Sequence, residues 1–187
     1  MSLVLTTFKT TNVSYFPLVS LKPAWKLDVP SNPWDDLLDY LVANVVVGFA
    51  VNAKAHNSTS QSIPNNVETA LSFDSNDFNV GSIHSTTVNP TRFTVPSTGV
   101  YSIFGLYRAS SNATGTRYAA IKKNGSVYLS INWSAVSASS DTSINVGLIE
   151  TLTAGDYIEL YAFQTSGGAL NAVTGASNTF MSIAQIG

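Results

Sequence analysis

The stretch Arg92–Arg108, RFTVPSTGVYSIFGLYR, decides the fold. A Pro-Ser-Thr-Gly turn at 96–99 cuts it near its start. After the turn, GVYSIFGLY alternates in a way that leaves neither side polar. Tyr101, Ile103 and Tyr107 share one face with Gly105 between them. Val100, Phe104 and Leu106 share the other, with Ser102 as the polar exception. A surface strand would carry polar residues on one face. Two apolar faces predict a strand with both sides hidden from water, and which of them faces the core stays open at this point.

Working outward, the chain from Val45 onward reads as all-β. Short β-branched and aromatic runs alternate with turn signals. Strands are predicted near 46–55, 69–73, 91–95, 99–107, 117–123, 126–134, 142–152, 156–164 and 178–186. Lys123-Asn124-Gly125-Ser126 is a hairpin signal, because Asn and Gly tolerate the positive φ of a type I′ turn. The segments at 153–156 (TAGD) and 165–170 (TSGGAL) are further turns. Strands at this spacing, with no helical period among them, predict an antiparallel β-sandwich of jelly-roll type rather than a parallel α/β sheet.

Residues 1–45 read differently. Pro17, Pro23 and Pro30 break the first thirty residues, which are too apolar for a solvated linker. An extended arm that packs against another surface fits them. A short helix is predicted at about 33–43, with Asn32 as N-cap, Pro33 in the first turn and Asp35 and Asp36 at its positive end. Trp34, Leu37, Leu38 and Leu41 line one apolar face, the candidate anchor to another protein. The domain reading is therefore an anchoring segment, 1–45, and a sandwich, 46–187.

The 187 residues carry a net charge of −2, and only 11% are Asp, Glu, Lys or Arg, against 44% hydrophobic. No basic cluster marks a nucleic-acid surface. The absence of cysteine excludes disulfides, thiolate chemistry and Cys-based zinc sites. The opening residues lack the pattern of a secretory signal, and the longest apolar run, Val45–Val51, is too short to cross a bilayer. The expectation is a protein made in a cytoplasm and carried outside by assembly into a particle.

Catalytic chemistry finds little support. Asp74 and Asp77 in FDSNDF are the closest pair of loop carboxylates. They read as a turn held by Asx side chains, as oxygen ligands for calcium, or as an acid/base pair. His56 and His84, the only histidines, lie in different polar segments, and no G-x-S-x-G elbow or phosphate loop is present. Aromatics are plentiful: Tyr118, Tyr128, Trp133 and Tyr157 join those of the apolar strands. They read as core or subunit packing, or as an exposed set able to stack on sugars.

Four segments, in order, resemble a known family. FTVPSTGVYSIFGLY, AAIKKNGS, IETLTAGDYIELYAF and NTFMSIAQIG are similar to successive strands of the globular head of complement C1q, a fold shared with the tumour necrosis factor (TNF) superfamily. Within it, SQSIPNNVETALSFDSNDFNVGSIHS, YRASSNATGTRYAAIKKNGS and QTSGGALNAVTGASNTF resemble modules of tailed-bacteriophage tail-fibre, tail-tip and capsid-fibre proteins. The resemblance covers residues 46–187 and implies a ten-stranded jelly roll, a homotrimer and a binding role without catalysis. Calcium occurs near the axis of some members, with no ligands assignable in this chain. The expectation is a virion structural protein on the particle surface, anchored to other virion proteins through residues 1–45. It would attach to a host-surface glycan or protein, or serve as an architectural or decorating joint. The rival from another class is a glycan-degrading spike enzyme. Tyr101, Ile103, Phe104, Leu106, Tyr107, Tyr161, Phe163 and Phe180 are the candidates for core or trimer interface. Asn112, Thr114, Arg117, Leu170 and Asn171 are the candidate receptor-loop residues.

Overall fold

The structure is a computed structural model that describes residues 51–136 and 139–187. The anchor residues Trp34, Leu37, Leu38 and Leu41, and the arm and helix they belong to, lie outside the described residues.

The described chain forms β1 (Asn52–His56), β2 (Ser62–Ile63), β3 (Thr69–Ala70), β4 (Ser75–Val80), β5 (Phe93–Thr94), β6 (Gly99–Ala109), β7 (Arg117–Lys123), β8 (Val127–Ser134), β9 (Thr142–Leu152), β10 (Tyr157–Gln164), β11 (Leu170–Asn171) and β12 (Phe180–Gln185). Two five-stranded antiparallel sheets contain all but β2 and β11, which pair with each other. The first sheet runs β4-β1-β12-β6-β9. The second runs β3-β10-β7-β8, with β5 also on β10. From β6 onward the chain crosses repeatedly between sheets, which is the winding of a jelly roll.

The strands predicted at 99–107, 117–123, 126–134, 142–152, 156–164 and 178–186 are present, with β6, β7 and β9 at or near their predicted bounds; of the strand predicted at 46–55, residues 46–50 lie outside the described residues and the rest overlaps β1. Three strands were not expected. Ser75–Val80 reads as a turn in sequence because SNDFNV is rich in Asp and Asn, which strands avoid. It is nonetheless a strand, and among the described residues an edge one, paired with β1 alone through a register shift at Lys54/Ala55. Edge position tolerates such residues, since one side of the strand has no ladder to maintain. The other two, β2 and β11, are two residues each. Residues 69–73 pair as a strand only at Thr69–Ala70, although Leu71 and Phe73 continue inward and are buried.

β6 runs through the middle of the first sheet. All eleven of its residues pair with β9, from Gly99↔Leu152 to Ala109↔Thr142, and β12 pairs along its other side. Its core face is Tyr101, Ile103, Gly105, Tyr107 and Ala109. These meet Ile121 of β7, Leu160 of β10 and the rings of Phe73 and Phe93. Burial of such side chains contributes about 1.5–3 kcal/mol each. Gly105 sets the closeness of the two sheets. A Cβ there would lie 2.7 Å from Leu160 Cδ1, inside van der Waals contact. The predicted hairpin at Asn124-Gly125 forms with φ of 53° and 72°, the positive values of a type I′ turn.

Candidate functional site: the outer faces of the two sheets

The core face of β6 being settled, its other face is the outer side of the first sheet. Strand register builds that surface row by row. One row is Phe78, Lys54, Ser182, Phe104 and Gly147; the next is Val80, Asn52, Ala184, Ser102 and Ile149. Phe104 is 39% exposed and Ile149 64%. The Phe104 ring leans across Gly147, whose missing side chain makes room for it: a Cβ would meet Phe104 Cδ2 at 3.3 Å. Between Phe78 and Phe104 lies an open depression floored by Asn52, Ser102, Ser182 and Ala184. Phe104 also packs on Phe180, ring centroids 5.8 Å apart.

One end of this face is charged. Lys54 Nζ stands 4.5 Å above the Phe180 ring and 2.9 Å from Asp77 Oδ2, and donates to the Ala176 carbonyl at 3.0 Å. The other Asp77 oxygen lies 2.8 Å from His56 Nδ1. Asp74 is engaged separately, accepting from the Ser58 amide at 2.5 Å and the Ser58 hydroxyl at 3.0 Å. Burial pushes its pKa up, but these bonds and Thr59 outweigh burial and hold it below the ordinary value. Each carboxylate of the pair thus has its own partners. Among the described residues no group of three or more His, Asp or Glu is placed to hold a metal ion.

The outer face of the second sheet is aromatic. Phe163, Tyr118 and Trp133 stand side by side on β10, β7 and β8. Tyr118 stacks on Phe163 at 4.7 Å and 15°, while Trp133 meets Tyr118 at 4.6 Å and 57°. Further along, Lys122 lies between the rings of Tyr128 and Tyr161, 4.2 and 4.3 Å from their centroids, and ion-pairs with Glu68. Glu68 also accepts from the Tyr128 hydroxyl at 2.9 Å. Burial and the Glu159 carboxylate, which accepts from the Tyr161 hydroxyl at 3.0 Å, push that phenol up to about 12. The charges on this face are therefore largely paired with each other.

The candidates for core or interface thus divide three ways. Tyr101, Ile103 and Tyr107 are core, and the Tyr101 hydroxyl donates to the Ser97 carbonyl at 2.8 Å. Phe104, Leu106 and Phe180 lie on the outer face of the first sheet. Tyr161 and Phe163 lie on the outer face of the second sheet and do not join that set.

The loop candidates need two corrections. Arg117, expected on an exposed loop, is 0% exposed. It points into the sandwich beside Tyr107, and its guanidinium donates to the carbonyls of Thr114 (2.9 Å), Thr116 (3.0 Å) and Asn112 (3.4 Å). The residue shapes the 112–116 loop from beneath instead of presenting itself to solvent. Burial lowers its pKa and raises that of the Tyr107 phenol, each offset in part by the other. Leu170 is also buried, joining the core as β11 pairs with β2. Thr114 and Asn171 are exposed and Asn112 half-buried, its side chain accepting from the Thr114 amide at 2.8 Å. Trp133, 56% exposed, is the residue that the candidate list missed.

No family model matches the sequence, and no curated protein matches it. Solved structures do. Murine APRIL aligns with a TM-score of 0.59 at 13% identity, over 73% of this chain and 99% of that one. Eiger TNF from S. frugiperda gives 0.55 at 16%, over 74% and 93%. The globular domain of zebrafish complement 1qA gives 0.54 at 14%, over 73% and 98%. At such identities the likeness speaks of fold, and the fold is the jelly roll of the TNF and C1q domains.

Proposed function

We propose that the chain is a non-enzymatic structural protein of a bacteriophage particle whose jelly roll forms a homotrimeric knob. Residues 46–187 are the knob, displayed on the particle surface. Residues 1–45 anchor it to other virion proteins, and the knob attaches the particle to a host surface. The observation that carries the trimer is the outer face of β6. A central strand of a sandwich presents Phe104 to solvent, flanked by Phe78, Val80 and Ile149 around a shallow depression. Several large apolar side chains left exposed on one sheet face mark an interaction site. The resemblance to trimeric C1q-like modules supplies the number three, and the phage motifs supply the particle. The sparse charge of the chain suits display outside a cell.

Light scattering on the purified chain tests assembly. A mass three times that of the chain is expected, and a monomer at all concentrations overturns the trimer. Competition tests attachment: purified knob is expected to block particle adsorption to host cells. Trimeric protein without competition would leave the architectural or decorating role in place of attachment.

A further inference from the structure

The aromatic row on the second sheet has a neighbour that gives it a chemistry. On β7 and β10, Tyr118 and Phe163 face outward, and two positions from each, just beyond the strand ends, come Thr116 and Thr165. That step is about 7 Å along a strand. The two threonines clasp each other: the Thr116 amide donates to Thr165 Oγ1 at 2.9 Å, the Thr165 amide donates to the Thr116 carbonyl at 3.1 Å, and their hydroxyls lie 3.2 Å apart. Gly115, at φ +79°, lets the loop come this close, since a Cβ would lie 1.9 Å from the Thr165 carbonyl oxygen. Arg117 fixes the same loop from below through three carbonyls. The hydroxyl pair is thus pre-positioned by its own hydrogen bonds where the two strands end, so little ordering cost remains for a ligand to meet.

We propose that the row Phe163–Tyr118–Trp133 and the adjoining Thr116 and Thr165 hydroxyls form a binding site for a neutral hexopyranose unit of a surface glycan. Trp133 meets both Tyr118 and Phe163 at steep angles, 57° and 69°, so neither ring lies flat on the indole. An indole left open in this way stacks on the apolar C–H face of a pyranose. The Thr116 and Thr165 hydroxyls, one and two strands over and two positions along, then exchange hydrogen bonds with hydroxyls of the stacked sugar or of the unit linked to it. Charge selects the class of sugar. Thr116, Tyr118, Trp133, Phe163 and Thr165 are all uncharged, and the nearest ions along the face, Lys122 and Glu68, neutralise each other. Among the described residues an acidic polysaccharide or nucleic acid would find no free cation in this row. The inference rests on the attachment reading above for the surface on which the glycan is met, and is independent of the trimer.

The test is titration of the full chain with neutral gluco-, galacto- and manno-oligosaccharides, with a sulfated oligosaccharide as the charged comparison. Light scattering runs alongside. Saturable binding of at least one neutral series is expected. Trp133→Ala should weaken it by about tenfold, the order of one stacking contact, while Trp133→Phe should retain it within about threefold. The association state should be the same for all three proteins. Four results would each overturn the site: no neutral series saturates, Trp133→Ala binds as well as the parent, the sulfated probe is preferred, or Trp133→Ala changes the association state. The last would make the row an assembly surface. A monomer that still binds sugar would remove the trimer and leave the site. A trimer that binds none would remove the site and leave the trimer.

Discussion

The two sheets of this sandwich share one core and have opposite outer surfaces. The first sheet shows solvent a flat face of small residues with widely spaced apolar side chains: Phe78, Phe104 and Ile149, with Ser102, Ser182 and Ala184 between them. The second sheet fills its own surface. Tyr118 stacks on Phe163, Lys122 sits between two rings, and Glu68 binds both Lys122 and Tyr128. A face of the first kind gains most by meeting a complementary protein surface. The second is largely consolidated within one chain, with its exposed apolar area concentrated along β8 at Trp133, Ile131 and Tyr128.

The contrast is most easily broken at Phe104. Phe104→Glu puts a charge at the centre of the first face and should abolish self-association while leaving the protomer folded. Light scattering with circular dichroism reads both, and a folded, still trimeric variant would show the face to be idle. Next in size is Lys122→Met on the second sheet. Removing the cation strands Glu68 among aromatic rings and should cost about 1–3 kcal/mol of protomer stability in denaturant unfolding, with association unaltered. Loss of assembly there would erase the distinction between the faces.

A smaller effect is expected at the hairpin that joins β7 to β8. Asn124→Ala keeps a residue at φ 53° without the side chain that accepts from the Tyr157 amide and donates to Asp156. The expected loss is about 1–2 kcal/mol. The smallest effect is a pH dependence. The Asn124 amide, with the Thr153 backbone, lowers the pKa of Asp156. A lowered folded pKa contributes stability above the unfolded value of about 3.9 and loses it as pH falls through the folded one. The gap in thermal midpoint between the parent and Asp156→Ala should thus be full at neutral pH and narrow as pH falls from the unfolded value of about 3.9 through the lower folded one. A gap unchanged in acid would contradict the assignment.

Much of the sandwich was legible because its signals are local. The alternation of β6, the turn at Asn124-Gly125, the β-branched run of β9 and the aromatic run of β10 each point to a strand or hairpin without reference to the rest. The division of β6 into core and outer faces was not legible, since Tyr101 and Phe104 are equally apolar. It took the second sheet, with Leu160 against Gly105, to decide it. Arg117 was misread because its neighbours Asn112–Thr116 look like a solvent loop. Nothing in that string announces that a guanidinium will be spent on main-chain carbonyls.

The Trp133 row was hidden by register. Closing β7 and β8 directly at Asn124-Gly125 sets Ile131 beside Tyr118. The observed pairing begins at Lys123↔Val127 and shifts again opposite Ile121/Lys122, which slides Trp133 into that place. Such a shift at a bulge re-aims side chains in a way that residue spacing alone does not reveal.

The central claim is that the outer face of the first sheet is an interface between copies of this chain. Its most direct test is the mass of the full chain in solution, measured by light scattering across a hundredfold range of concentration. Three chain masses throughout is the predicted result; one chain mass throughout would contradict it.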